Sequence, residues 1–416
     1  MIQILSLLLY SISILLSDFK SGVMIRLDIS TTFAIMIFLT SISHLAALSP
    51  IFDIGKSWAT YLVPQYLERG LFVFSLGSVI IMEALRRAIG KPVVFEFSQQ
   101  RQGLFNVVLA IGVIVFILNH FRVLPLLGTI SSFVGLLVNG SVFFLAFNAH
   151  SSISNFRVYL VVLFTTALSL YAIQFSYLRM EIITPWLAYF LGELLARRQI
   201  VRLHLVSKLV FFVGLIVFPV IFTYLGKNRS TLSGQKEKLE KVLKEGTRLD
   251  KTDDGETLLG RLNVLGQMSN VVNLTERKGF YNGYTLSYLS FVFIPRILWP
   301  DKPKLDGGQW FAVEIGRSYY LPNGRASNSV NMTVPGEMYL NFGFIGLVIG
   351  CILFGFFIGF IWNSVYGTDL LSWTFRFYLL FLGMFSLGSD MMVIPQLMAY
   401  WLIYKTVTFF RTRLYA

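Results

Sequence analysis

The side chains that stand out are arginines placed where a phosphate could meet them. Arg69, Arg122 and Arg179 stand at the ends of apolar runs. Arg229, Arg248, Arg261, Arg277, Arg296, Arg317 and Arg325 crowd one polar stretch. A guanidinium stays charged at any physiological pH and forks onto phosphate oxygens in pairs. Each arginine taken singly reads as a solvated or lipid-facing residue, but the set together suits a lipid-linked phosphate or diphosphate. Arg179 is the best placed of the first group, because it opens an apolar helix at headgroup depth. Glu337, Tyr339 and Asn341 form a polar cluster at the mouth of another apolar run. Polar groups beside a membrane helix are costly unless paired or used, so structural hydrogen bonding and function both stand for this cluster.

Other chemistries find no support. The chain has no P-loop, no GxGxxG after a strand, no G-x-S-x-G and no CxxC pair. His44, His120, His150 and His204 are scattered without metal-ligand spacing, so no metal site is expected. Ser-x-x-Lys occurs from Ser17 and from Ser233 without companion motifs, which reads as chance.

The elements that must carry these residues follow from composition. Of 416 residues, 55% are hydrophobic and only 14% charged, against about 25% charged in a soluble domain. Too few charges remain to coat a globule, which excludes a soluble enzyme and a disordered chain. Cys351 is the single cysteine and cannot form an internal disulfide. An all-α polytopic membrane protein remains. Its net charge of +13 then reads as inner loops and anionic lipid rather than a nucleic-acid partner.

About eleven runs are long enough to span a bilayer. They centre near residues 2–17, 29–48, 70–85, 103–120, 128–148, 157–176, 180–196, 206–225, 343–363, 371–388 and 391–410. The first lacks a basic leader and a small-x-small cleavage site, so a retained helix is expected. Alternate connections carry the dense basic groups, which places them in the cytoplasm, with the N-terminus outside and the C-terminus inside. Glu83 and Glu193 lie beside Arg86–Arg87 and Arg197–Arg198, where pairing within one helix accounts for them. The chain divides into N-terminal helices (1–225), a large extracytoplasmic loop (226–342) between the eighth and ninth spans, and C-terminal helices (343–416).

Within the loop, residues 235–245 read as a short charged helix, and Leu258, Leu262 and Leu265 mark another amphipathic one. The apolar run 284–294 is too short to span and reads as a re-entrant or interfacial element. Pro and Gly crowd PRILWPDKPKLDGGQW and GRASNSVNMTVPGEMYLNFGFIGLVIG, which predicts turns in place of regular helix.

At RILWPDKP (Arg296–Pro303) and GEMYLNFGFIG (Gly336–Gly346) the chain resembles the bacterial O-antigen polymerase (Wzy) family and related oligosaccharide repeat-unit polymerases. The matching positions are Arg296, Pro300, Lys302 and Pro303, then Gly336, Glu337, Tyr339, Asn341, Phe342 and Gly343. Likeness is strongest over about residues 290–365. Arg179 matches in place an arginine that opens a mid-chain helix in these polymerases and in the related O-antigen ligases. The ligases carry a functional histidine in the large loop; this loop has none, which favours polymerase.

The resemblance implies a GT-C-like glycosyltransferase in the bacterial inner membrane, its large loop periplasmic. Donor and acceptor would be undecaprenyl diphosphate-linked oligosaccharides, with no cofactor, metal or nucleotide sugar. It also suggests a chain-length regulator as a partner. As the glycosidic bond breaks, charge grows on the leaving diphosphate, and fixed arginines would stabilise it. Arg179 and Arg296 come first, then Arg325, Arg277 and Arg317, with Lys302 beside them. An acceptor hydroxyl calls for a base, for which Glu337 leads, before Asp301 and Asp390. Tyr339, Asn341 and Trp299 would contact substrate. Trp299, Trp310, Tyr319 and Tyr320 could stack on sugar faces, and read more readily as interfacial anchors. An O-antigen ligase-like transferase, a lipid-linked oligosaccharide flippase and a non-catalytic scaffold remain as alternatives.

Overall fold

In the computed structural model the described chain is helical throughout, with an isolated bridge between Tyr320 and Ala326. The described residues are 2–20, 28–48, 62–89, 110, 114, 128–151, 155–172, 179–197, 263–291, 299, 307–321, 324, 326–327, 329–365, 370–385, 391 and 393–414. Their helices are α1 (Ile2–Lys20), α2 (Ile29–Leu48), α3 (Leu67–Ile89), α4 (Gly128–Ser151), α5 (Asn155–Tyr171) and α6 (Arg179–Arg197). Then come α7 (Leu265–Lys278), α8 (Gly307–Glu314), α9 (Val334–Asn363), α10 (Leu370–Phe385) and α11 (Val393–Leu414). Short 3-10 helices lie at Pro64–Tyr66 and Tyr284–Ser290.

Helices α1 to α6 and α9 to α11 fall on apolar runs read from the sequence. The run 206–225, nearly all of 103–120 and the charged helix 235–245 lie outside the described residues. Among the described residues two helices, α2 and α9, are long and apolar enough to cross a membrane. On α9 the side chains of Ile345, Ile349, Leu353, Phe356 and Phe360 are exposed at three- to four-residue spacing. Such an apolar stripe demands an apolar neighbour.

Helix α9 departs from the expected pattern of turns. Helix begins at Val334 and runs through the Pro- and Gly-bearing motif. Pro335 sits in the first turn, where its missing N–H is no loss. The helix breaks at Gly343, whose φ of 65° and ψ of −151° lie outside helical space. A short stub, residues 334–342, therefore precedes a membrane-length segment, residues 344–363. At 1.5 Å per residue that segment is about 30 Å long, the thickness of a bilayer core. Gly307 and Gly308 likewise open a helix, α8, in place of the expected turn.

Helices α3 and α9 run parallel at backbone contact. A Cβ on Gly77 would lie 2.5 Å from Pro335 Cβ, one on Gly355 2.6 Å from the Ile81 carbonyl, and one on Gly359 2.4 Å from Ala88 Cβ. This is how membrane helices gain dispersion contacts without a hydrophobic drive between them. Because they are parallel, both start at one end of the bundle, and α7 packs there. Of the amphipathic helix expected at Leu258, Leu262 and Leu265, the first two residues lie outside the described set; Leu265 begins α7, which is mostly buried. A Cβ on Gly70 would lie 2.8 Å from the Met268 carbonyl carbon. The Val264 amide donates to His44 Nε2 at 3.3 Å, and the Val63 amide donates to Ser269 Oγ at 3.1 Å.

A second packed group joins α4, α6 and α10. A Cβ on Gly192 would lie 2.4 Å from the Phe143 carbonyl oxygen. Trp373 of α10 lies against Phe143 at 5.4 Å and Phe147 at 4.5 Å between ring centroids. Glu83 pairs with Arg87 at 3.9 Å, as spacing predicts, and also accepts the Tyr10 hydroxyl at 2.6 Å. Glu193 reaches across to His150 Nε2 at 3.5 Å, both side chains fully buried; the Arg197 side chain and Arg198, expected to pair with it, lie outside the described residues. His150 Nε2 also lies 3.0 Å from the Tyr189 hydroxyl.

The α3–α7 contact yields a first expectation. Gly70→Val should overpack it and lower stability by about 1–3 kcal/mol, read as a lower melting midpoint in detergent. An unchanged midpoint would contradict the close approach.

Candidate functional site

The stub residues 334–342 are set by four contacts. Thr333 begins it with φ 65° and ψ 152°, a backbone conformation that a β-branched residue rarely adopts. Its Oγ1 accepts the Gly336 amide at 3.1 Å and its carbonyl accepts the Glu337 amide at 2.9 Å. Capping at both groups offsets a strain of about 1–3 kcal/mol. At the other end, the break at Gly343 leaves helix carbonyls without their usual amide donors. The loop supplies the missing donors. Tyr281 N–H donates to the Leu340 carbonyl at 3.1 Å and Asn282 N–H to the Asn341 carbonyl at 3.0 Å. Gly283 N–H donates to Asn341 Oδ1 at 3.0 Å.

Those amides belong to a tight turn. Asn282 and Gly283 have φ of 48° and 87°, and the Tyr284 amide closes the turn on the Tyr281 carbonyl at 2.9 Å. Consecutive positive φ angles define a primed turn, for which Asn-Gly is the favoured pair. The apolar run expected as a re-entrant element begins, in its described part, as the 3-10 helix Tyr284–Ser290 docked beside the stub.

From that 3-10 helix a directional chain of hydrogen bonds reaches the motif carboxylate. Asn341 Nδ2 donates to Thr285 Oγ1 at 2.6 Å and to the Glu337 carbonyl at 2.8 Å. Thr285 Oγ1 donates to Glu337 Oε1 at 2.9 Å, and the Met391 amide donates to Glu337 Oε2 at 2.7 Å. Glu337 is 1% exposed and Asn341 0%. Glu337 thus ties the loop, the stub and the entry to α11 together. In this state its oxygens face a threonine and an amide, not solvent, so its geometry is that of a positioning group.

Tyr339 is fully buried, and its hydroxyl has no hydrogen-bond partner among the described residues. Its ring meets Phe280 and Phe344 edge-on at 6.1 and 5.1 Å. Arg69 lies 5.9 Å from the ring centroid and pairs with Glu276 of α7. That pair is about half exposed, so it orients Arg69 more than it stabilises the fold. Arg277 is exposed in the last turn of α7, beside the exposed ring of Phe280.

Of the other candidates, Arg179 opens α6, as expected, by its backbone; its side chain lies outside the described set. Arg317 terminates α8, its amide donating to the Ala312 carbonyl at 2.8 Å. Trp299 lies edge-on to Phe291, the residue that follows the 3-10 helix, with ring centroids 5.8 Å apart. Arg296, Arg325, Lys302, Asp301 and Asp390 lie outside the described residues. Met391, the neighbour of Asp390, is nonetheless held on Glu337. Among the described residues no three His, Cys, Asp or Glu side chains converge to hold a metal.

Thr285, His44, Asn282 and Gly283 were not singled out by sequence. Asn282–Gly283 had a readable signal, the Asn-Gly turn pair. Thr285 and His44 had none, because their partners lie 52 and 220 residues away.

Electrostatics on the loop favour a fixed α7–α8 contact. The Lys278 ammonium donates to the Glu314 carboxylate, which holds its pKa above the usual lysine value. The raised pKa adds stability below the ordinary lysine range, and that increment is lost only as pH rises through the raised value. Burial pushes the Tyr281 phenol up as well, helped by the Glu314 charge.

Two substitutions read this geometry. Thr285→Val leaves Glu337 and Asn341 each short of a partner and should destabilise by about 1–3 kcal/mol, while Thr285→Ser should not. Equal melting midpoints for the two variants would contradict the relay. Tyr339→Phe removes a buried, unpaired hydroxyl and should raise the midpoint by the equivalent of about 1 kcal/mol. A lower midpoint would mean that the hydroxyl is paired. No protein-family model, curated protein or solved structure matches this chain.

Proposed function

We propose that the chain is a glycosyltransferase that polymerises undecaprenyl diphosphate-linked repeat units into O-antigen or a related surface polysaccharide. It would work at the periplasmic face of the bacterial inner membrane, with about eleven spans in a GT-C-like arrangement. One observation carries the reading. The Gly336–Gly343 segment, which bears the resemblance, is a polar stub held by the large loop at the mouth of a membrane-length helix. A stub of this kind puts fixed polar groups at headgroup depth, where a lipid diphosphate presents its sugar.

Exposed apolar side chains support membrane burial beyond α2 and α9. They include Leu5 and Leu9 on α1, Leu163 and Leu170 on α5, and Leu402 and Phe410 on α11. Basic inner connections orient the set with the 226–342 loop outside. The parallel run of α3 and α9 suits that orientation, which sends both from outside to inside.

In the reaction an acceptor hydroxyl oxygen bonds to the anomeric carbon of the donor glycan. The bond from that carbon to the diphosphate oxygen breaks, and undecaprenyl diphosphate leaves with the electron pair. Arg179 and Arg296, aided by Arg277, Arg317, Arg325 and Lys302, would stabilise the growing charge. The acceptor proton passes to a carboxylate, Asp301, Asp390 or Glu337. For Glu337 to serve it must open from its contacts with Thr285 and Met391. Otherwise it orders the mouth for one of the other two. Of the residues expected to contact substrate, Trp299 is accessible, whereas Tyr339 and Asn341 are fully buried and in this reading would shape the mouth from beneath it. Membrane lipid surrounds the bundle, and a chain-length regulator is the expected protein partner.

Purified protein incubated with lipid-linked repeat unit alone tests the reaction. A ladder of longer products supports the polymerase. Transfer only to lipid A core would make it a ligase; lipid scrambling in vesicles without product would make it a flippase. Arg179→Ala and Arg296→Ala should each abolish long polymer while protein still accumulates in the membrane. Wild-type chain lengths in both would sink the leaving-group role.

A further inference from the structure

Three aromatic rings meet just outside the stub. Trp310 of α8 takes Tyr281 edge-on, with centroids 5.0 Å apart and planes at 84°. Tyr284 lies 5.8 Å from the same ring at 56°. Tyr284 is 51% exposed, and Trp310 and Tyr281 are half-buried, so the rings are fixed yet reachable. Aromatic edges and faces carry opposite partial charges, which locks the T-shaped pair and leaves a face for a ligand.

Tyr281 and Trp310 pack on the apolar core on one side, and polar groups lie beside them. Lys278 and Glu314 form an ion pair beside Tyr281, and the Gln309 side-chain carbonyl accepts the Ala326 amide at 2.9 Å. A lipid tail would meet charges and amides there. A pyranose fits better, because it has a face of C–H bonds that packs on an aromatic ring and a rim of hydroxyls that hydrogen-bond to amides and charges.

The shelf is also built into the mouth. Tyr284 stands between Gly283, whose amide donates to Asn341 Oδ1, and Thr285, whose hydroxyl donates to Glu337. Helix α8 is pinned where the Val330 amide donates to the Gly308 carbonyl at 2.9 Å. A Cβ on Gly308 would come within 2.4 Å of Ser329 Oγ. A sugar resting on Tyr284 and Trp310 is therefore next to the residues that order the stub.

We propose that Trp310 and Tyr284 form a sugar-stacking subsite that seats one pyranose of the glycan, apart from the arginines that meet the diphosphate. That the glycan is a surface polysaccharide rests on the polymerase reading above; the place of stacking rests on the rings.

Purified protein in lipid nanodiscs is titrated with chitotetraose and with oligosaccharide freed from the host's own lipid-linked repeat unit. Binding is followed by saturation-transfer NMR. Saturable binding of either probe is expected. Trp310→Ala and Tyr284→Ala should each weaken it about tenfold, the scale of one lost aromatic contact, and Trp310→Phe should retain it. With lipid-linked substrate, Trp310→Ala should raise KM while kcat stays near wild type. No binding of either probe by wild type, or wild-type affinity in both alanine variants, overturns the subsite. Ladder formation with unchanged KM in Trp310→Ala overturns the subsite and leaves the polymerase reading intact. Glycan binding that depends on Trp310, without any ladder, keeps the subsite and overturns the polymerase reading.

Discussion

The mouth of the bundle depends on a broken helix being completed by another part of the chain. Gly343 interrupts α9, and the carbonyls of Leu340 and Asn341 lose the amides that a continuous helix would offer. The turn at Asn282–Gly283 provides those amides from the large loop. Neither partner is satisfied alone. A side chain would be strained at φ of 65° at position 343, and a Cβ there would lie 2.9 Å from the Phe280 ring. One glycine thus allows the break, the capping and the close packing of the loop.

The buried polar chain from Asn341 through Thr285 to Glu337 follows from that docking. It has one direction of donation, so exchanging a single donor for an acceptor disrupts more than one bond. It ends on the Glu337 carboxylate, which also accepts the Met391 amide from the other side and so brings the start of α11 to the same place. Elsewhere the bundle is held by small residues at backbone contact, and the His150–Glu193 pair fastens α4 to α6. An ionisable pair buried in a membrane-type bundle is tolerated because each member meets the other.

Much of the helical architecture was legible, because apolar runs of sufficient length have few alternatives to helix. The stub was misread as turns. Pro335 and Gly336 argued against helix, yet a proline in a first turn loses no hydrogen bond, and Gly336 lets α7 approach, with Met268 Sδ 3.1 Å from the position of a Cβ. Of α7 only its first residue, Leu265, was marked in the sequence, and its burial was not legible, since its cover comes from α3 and His44 across some 200 residues of sequence. At the site, Glu337, Tyr339 and Asn341 were visible as a polar cluster beside an apolar run. That they are joined through Thr285 was not, because a lone threonine in a loop carries no periodicity and no spacing signal.

Amide hydrogen exchange of the nanodisc-embedded protein tests the central claim, that the loop turn completes the broken helix. The amides of residues 281–283 should be as protected as those of the stub, and Gly343→Val should release both together. Rapid exchange at 281–283 beside a protected stub in the wild-type protein would contradict it.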